Sequence, residues 1–152
     1  MALVPEGEKY DFSKNLFPRL LEMGWPMYAQ AIDGVWFDVG SPQELIRAQN
    51  VLIERRDELP FPLPEGARIE HGSFIHPTSR VDSSATIEQS VVAQDAVVGA
   101  NVLLKQCVLM KGACVEEGAR LEHCILSPGA IVSGNVSAKD TILGDQERLE
   151  NA

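Results

Sequence analysis

Three kinds of residue in this chain could do chemistry: a carboxylate set in an apolar stretch, three thiols and three imidazoles. The carboxylate is Asp38, within GVWFDVGSPQELIRAQN at residues 34–50. Alternation predicts a strand with Val35, Phe37 and Val39 on one face and Trp36 and Asp38 on the other. Gly40 permits a tight turn. Ser41, Pro42 and Glu44 then read as N-cap, first helical residue and capping-box partner of an amphipathic helix running to about Asp57. Asp38 would thereby stand at the carboxyl end of a strand beside a helix N-terminus, where the ligands of α/β sheets gather. The alternative is that its carboxylate merely caps the Gly40–Pro42 turn or the helix N-terminus.

The thiols belong to a different pattern. Cys107, Cys114 and Cys124 are odd in number, without a CxxC pair or a His at zinc-finger spacing, so reduced, structural cysteines are expected. Cys107 and Cys124 lie 17 residues apart, and so do Ser73-Phe-Ile, Ser90-Val-Val, Cys107-Val-Leu, Cys124-Ile-Leu and Thr141-Ile-Leu. Within this repeat, apolar residues fall at steps of six, six and five, from Ile75, Val81 and Ile87 through to Leu143 and Leu149. Thirteen of those fourteen positions are Val, Ile or Leu, whereas composition alone would place about six apolar residues there. Small residues such as Ala96, Ala113 and Ala130 stand two places earlier, behind turn residues such as Asp95, Gly112 and Gly129.

An α-helix cannot hold a six-residue period in register, because 3.6 does not divide it. A three-sided coil can: each short strand points one side chain inward, and stacked coils pair as parallel strands about 4.8 Å apart. About five coils are expected over residues 67–152. Equivalent positions in adjacent coils make Cys107 and Cys124 part of a ladder of small side chains with Ser90 and Thr141. A disulfide or metal site there would need an oxidising compartment or further ligands.

The composition changes at LPFPLPEG, residues 59–66, where Pro60, Pro62 and Pro64 alternate and predict an extended, semi-rigid linker. Before it, residues 1–58 read as mixed α/β: a turn around Ser13, a helix opening at Pro18 and stopped by Gly24, then a strand over PMYAQAID before the Asp33-Gly34 turn. The net charge is −9, with 10 acids against 6 bases in residues 1–58 and 12 against 7 in residues 59–152. Neither part offers a basic face for phosphate backbones, which argues against nucleic-acid binding. No apolar run reaches the roughly 20 residues of a membrane span and no secretory leader is visible, so no membrane partner and a cytoplasmic setting are expected.

The order Phe12-x-Lys14-x-x-Phe17-Pro18-x-Leu20-Leu21, then Asp33-Gly34-x-Trp36-x-Asp38-x-Gly40-Ser41-Pro42, then an amphipathic helix, is similar to the sugar-1-phosphate nucleotidyltransferases. These include mannose-1-phosphate guanylyltransferases and glucose-1-phosphate thymidylyl- and uridylyltransferases. The resemblance covers roughly residues 4–57, with Trp36 to Pro42 as its specific core, and many members carry a hexapeptide-repeat left-handed β-helix directly afterwards. Residues 67–152 resemble that β-helix, although its usual coil has eighteen residues rather than seventeen. The resemblance implies a mainly β fold, a left-handed parallel β-helix behind an α/β remnant. It implies that Asp38 helps hold a catalytic Mg²⁺, a hard cation suited to carboxylate oxygens, and that Trp36 and Gly40 contact substrate.

The same resemblance sets a limit. The family's nucleotide site is built by a G-G-x-G-[ST]-R-L loop, and no Gly-Gly occurs here. The expectation is therefore the C-terminal portion of an enzyme that joins a sugar phosphate to a nucleotide, inactive on its own. An alternative is a non-catalytic oligomerisation or regulatory module. Trp25, Tyr28 and Phe37 are expected to pack against another copy or the β-helix end, making a homo-oligomer. A third alternative is a hexapeptide acyltransferase with a His base beside a protruding loop, but the unbroken period leaves no room for one, and His71, His76 and His123 read as solvated outer residues.

Overall fold

Seventeen residues close one three-sided turn of chain, as the period requires. The computed structural model describes residues 3–151; residues 1, 2 and 152, at the ends of the expected N- and C-terminal segments, lie outside it. The chain divides into two units, Met1–Trp36 and Phe37–Ala152.

In the second unit the first coil comprises β2 (Ser73–Ile75), β3 (Arg80–Val81) and β4 (Thr86–Glu88), preceded by β1 (Arg68–Glu70). Equivalents of β2, β3 and β4 recur every 17 residues and stack in parallel register, Ile75 on Val92, Val81 on Val98 and Ile87 on Leu104. The three resulting sheets give four complete coils and two sides of a fifth, against the five expected. The chain is thus a mainly β parallel solenoid. Its axis is a column of inward side chains, among them Val92, Leu104, Leu109, Val115, Leu121, Leu126 and Val132, each at most 1% exposed. Ala96, Ala113, Ala119 and Ala130 are equally buried, small because they sit where the sides converge. β1, absent from the sequence expectation, pairs antiparallel with β2 and covers the free edge of the first side.

Corners are made by residues in the left-handed region. Gln89, Gln106, His123 and Asp140 take φ of 46°, 51°, 53° and 51° at one corner, where only this single residue separates the third side from the next coil's Ser90, Cys107, Cys124 or Thr141. That is the side one residue short. Gly118 takes φ 73° at another corner, where the adjacent coils place Asn101 and Asn135 at φ 56° and 58°; a Cβ on Gly118 would require the Asn135 side chain to shift and would sit in the left-handed region that favours glycine.

The shortened corner rotates one backbone N–H per coil away from any carbonyl, and a side chain accepts it. The Ser90 N–H donates to Ser73 Oγ at 3.0 Å and the Cys107 N–H to Ser90 Oγ at 2.9 Å. In the following coils the Cys124 N–H faces the Cys107 sulfur, and the Thr141 N–H faces the Cys124 sulfur. From the second coil on, each hydroxyl or thiol in turn donates to the carbonyl two residues back, Ser90 to Glu88 at 2.7 Å, Cys107 to Lys105 at 3.3 Å, Cys124 to Glu122 at 3.3 Å and Thr141 to Lys139 at 2.9 Å, whereas the Ser73 hydroxyl donates to the Ile87 carbonyl at 3.3 Å. The small-residue ladder is therefore a row of hydrogen-bond relays.

Helix α2 (Pro42–Glu54) belongs to this unit too, closed at its start by Ser41 Oγ accepting from the Glu44 N–H at 3.2 Å. It stops at Glu54, short of the expected Asp57; a single 3₁₀ turn over Arg56–Glu58 follows. It docks on part of the outward row of the first side, whose residues Phe74, Val91, Val108, Ile125 and Ile142 make an apolar stripe on the outside of a solenoid. Ile46 packs with Val108 and Ile125, flanked by Leu45 and Met110. Val108 and Ile125 are 2% and 5% exposed, whereas Ile142, beyond this cluster, is 54% exposed.

The first unit differs from the expectation. A single π-helical turn, Phe12–Leu16, replaces the turn at Ser13 and runs into α1 (Phe17–Glu22), which ends before Gly24 at φ 66°. The strands expected over PMYAQAID and over Val35–Val39 do not form; both segments lie outside any helix or ladder. A strand persists only when neighbouring strands take up its N–H and C=O groups, and none of the described sheets reaches these residues. No described residue of this unit is buried. No described helix is long and apolar enough to cross a membrane.

The relay ladder yields a stability prediction. Ser90→Ala leaves the Cys107 N–H without an acceptor inside the fold and should destabilise the protein by about 1–3 kcal/mol. Ser90→Cys, which copies the next two coils, should lose markedly less. Urea unfolding of both variants measures the difference, and equal midpoints would contradict the relay.

Candidate functional site

Asp38 lies in an exposed, irregular stretch, and its carbonyl accepts from the Gly40 N–H at 2.8 Å, closing the tight turn that Gly40 was expected to allow. Ser41, not Asp38, caps α2. The capping alternative for the Asp38 side chain therefore drops out at the helix. Phe37 is half-buried beneath Arg47, whose guanidinium carbon stands 5.4 Å from the ring centroid. Gly40 is exposed, with open space where a Cβ would be. Trp36, the last residue of the first unit, is 75% exposed.

A divalent cation needs about six oxygen ligands, several from carboxylates or carbonyls. Among the described residues no group of three or more His, Cys, Asp or Glu side chains is placed to hold a metal ion. Asp38 can supply one ligand; the described residues do not supply the rest of a Mg²⁺ site.

What the structure does assemble is a cleft of about 460 Å³ along one flank of α2. Its far wall is the left-handed corner itself, because Gln89, Gln106, His123 and Asp140 are stacked by the 17-residue repeat. Gln106 Nε2 donates to Gln89 Oε1 at 3.2 Å, His123 Nε2 lies 2.5 Å from Gln106 Oε1, and His123 Nδ1 lies 3.1 Å from Asp140 Oδ1. His123 is therefore tied into a polar ladder rather than simply solvated as expected. The sequence signal was present in the period: the residue before each Ser, Cys or Thr of the ladder is polar in every coil from Gln89 onward.

The two buried thiols, Cys107 and Cys124, belong to the relay ladder. All three are free; Cys107 and Cys124 are buried and Cys114 is half-buried on the outer face of the second side. The neighbouring Cys124 thiol, and then burial, push the Cys107 thiol well above its ordinary range. Burial, and then the Glu116 carboxylate, raise Cys114 as well.

Comparison with known proteins places this architecture. The family described as the GMPPB C-terminal domain matches residues 69–152, more than half of the chain. A glucose-1-phosphate adenylyltransferase of Clostridium novyi is 30% identical over 93 residues, covering 61% of this chain and 24% of that protein. The enzyme of the same name from Acetivibrio thermocellus is 28% identical over 139 residues, 91% of this chain and 28% of its own length. The chain spans about a quarter of the length of these curated relatives. Among solved structures, the acetyltransferase domain of PglB from Neisseria gonorrhoeae is 20% identical, covering 74% of this chain and 66% of that one, with a TM-score of 0.37. That likeness is too slight to bear on function.

Thiol labelling tests the arrangement of the cysteines. N-ethylmaleimide should modify Cys114 first in the folded protein, with Cys107 and Cys124 reacting only on unfolding. Because the Cys114 pKa is raised, its thiolate is scarcer than that of an exposed cysteine at neutral pH, so labelling should be slow at pH 7 and accelerate as pH rises. Mass spectrometry reads the order; equal labelling of all three thiols under native conditions would contradict it.

Proposed function

Since the chain belongs to the family of the GMPPB C-terminal domain, we propose that it is the C-terminal portion of a sugar-1-phosphate nucleotidyltransferase, which converts an NTP and a sugar 1-phosphate to an NDP-sugar and pyrophosphate. The observation that carries this reading is the extent of the alignment to the Acetivibrio thermocellus adenylyltransferase. At 91% of this chain it runs past the coils into the residues before them, where the W-x-D-x-G-S-P motif lies.

In the complete enzyme the substrates are a sugar phosphate and a nucleotide. Asp38 contributes one oxygen ligand to Mg²⁺, which would offset phosphate charge when bound. Trp36 and Gly40 belong to the sugar side. The coils form the hexapeptide-type β-helix that the resemblance implies, in a cytoplasmic protein. These residues alone do not catalyse, because the sequence contains no Gly-rich loop to hold the triphosphate.

The chain also self-associates in this reading. Phe12, Trp25, Tyr28 and Trp36 are 42–93% exposed in a unit none of whose described residues is buried, and such surface is normally covered. This is also the observation that favours a second role, as an oligomerisation module.

Incubating the 152-residue protein with NTPs, sugar 1-phosphates and MgCl₂ should release no pyrophosphate; turnover would overthrow the proposed dependence on a nucleotide-binding half. In the complete enzyme, Asp38→Asn should lower kcat at least about a hundredfold, in line with removal of one charged transition-state contact. Light scattering at micromolar concentration should give a mass above 16.6 kDa, and a monomer would count against self-association.

A further inference from the structure

The cleft between α2 and the left-handed corner has chemistry that the nucleotidyltransferase reading does not use. Its helical wall presents Gln43, Arg47, Asn50 and Glu54, which recur at steps of four, three and four along one flank of α2. The corner wall presents the Gln89–Gln106–His123–Asp140 ladder, and Ile46 and Ile142 form an apolar floor between them. At about 460 Å³ the cleft falls within the roughly 300–1,000 Å³ of small-molecule sites.

Charge narrows the class of ligand. Arg47 already faces Glu44 at 3.3 Å, and the lining carries two carboxylates, Glu54 and Asp140, against that one guanidinium. A phosphate or nucleotide would meet no surplus positive side-chain charge there. No Phe, Tyr or Trp lines the cleft to stack a base, and its one ring, the His123 imidazole, is already held between Gln106 and Asp140. What remains is abundant uncharged hydrogen bonding: four carboxamides, each able to donate and accept. Among the described residues the Gln43 and Asn50 amides make no hydrogen bond to protein. Alternating donors and acceptors over an aliphatic floor match a ring of hydroxyls with an apolar C–H face.

We propose that this cleft binds a neutral saccharide, either a single hexose or one unit of a glycan chain, at a site on the β-helix. The corner amides Gln89 and Gln106 and the helical amides Gln43 and Asn50 grip the hydroxyls from opposite walls, and the exposed Ile142 underlies the ring. The site lies wholly in the second unit and stands whether or not the complete protein transfers nucleotides.

The test is an amide-resolved NMR titration of the 152-residue protein with D-mannose, D-glucose, maltotriose and glucose 1-phosphate, each to ~50 mM, a ceiling suited to weak sugar sites. Saturable shifts in α2 and the 89–140 corner with a neutral sugar support the site. Saturation by a monosaccharide identifies a free hexose, and saturation by maltotriose alone identifies a glycan chain. Affinity should fall about tenfold in Gln106→Gly, which keeps the left-handed corner open to its backbone, and in Asn50→Ala. Gln43→Ala, exposed in the first turn of α2, gives a third reading that leaves the helix and its packing intact. The proposal is overturned if no neutral sugar saturates these residues, if glucose 1-phosphate binds more tightly than the neutral sugars, or if folded variants bind as the parent does. Loss of the cleft's signals to self-association alone, without any response to sugar, would assign it to a second copy of the chain and overturn it too.

Discussion

One missing residue per turn governs this molecule. A coil of seventeen leaves its third corner a single residue long, and a single residue can reverse direction there only in the left-handed region. The next backbone N–H then points at the adjacent coil where a carbonyl is out of reach. A buried, unmatched N–H costs more than an ordinary hydrogen bond contributes, so every rung needs a small side-chain acceptor. Ser73, Ser90, Cys107 and Cys124 fill that role, and because each must sit at 0–1% exposure, only Ser, Cys or a similarly small group fits. Sulfur serves here as a hydrogen-bond partner, which explains buried thiols without invoking redox chemistry.

The same corner organises the surface. Residues stacked in the left-handed position are held about 4.8 Å apart by the parallel register, so Gln89, Gln106, His123 and Asp140 form a continuous polar edge. Beside it runs the outward apolar row of the first side, which no other side possesses in the same degree: the third side shows Thr86, Lys105, Arg120 and Lys139 outward instead. Burial of Val108 and Ile125 under Ile46 anchors α2 on that row. Polar edge and docked helix together create the cleft. Its position follows from which side of the prism carries an outward apolar row unbroken from the first coil to the last, since the second side's row is closed at both ends by Arg80 and Arg148.

The first unit obeys a different constraint. Its residues carry the aromatic and aliphatic side chains of a sheet-forming segment, yet strands need partners, and none of the described sheets extends to them. The helical turns at Phe12–Leu16 and Phe17–Glu22 survive because their hydrogen bonds are local, and Asp11 caps the first by accepting from the Lys14 N–H at 2.8 Å. Phe12 and Phe17 meet at 6.2 Å, a contact that buries neither.

Periodicity was legible from the residues alone: the inward column, the three-sided coil, the parallel register and the Ser/Cys ladder all follow from a spacing of 17. Such features are set by neighbours at fixed separation along the chain. The Ser41 cap and the start of α2 were legible for the same local reason. The strand expected around Asp38 was not confirmed, since its stability rests on ladder partners that its own alternation cannot supply. The docking of α2, the edge strand β1 and the cleft beside His123 emerged only in three dimensions. Each depends on an outward-facing residue finding a distant partner, and a repeat states which way a side chain points without stating what will cover it.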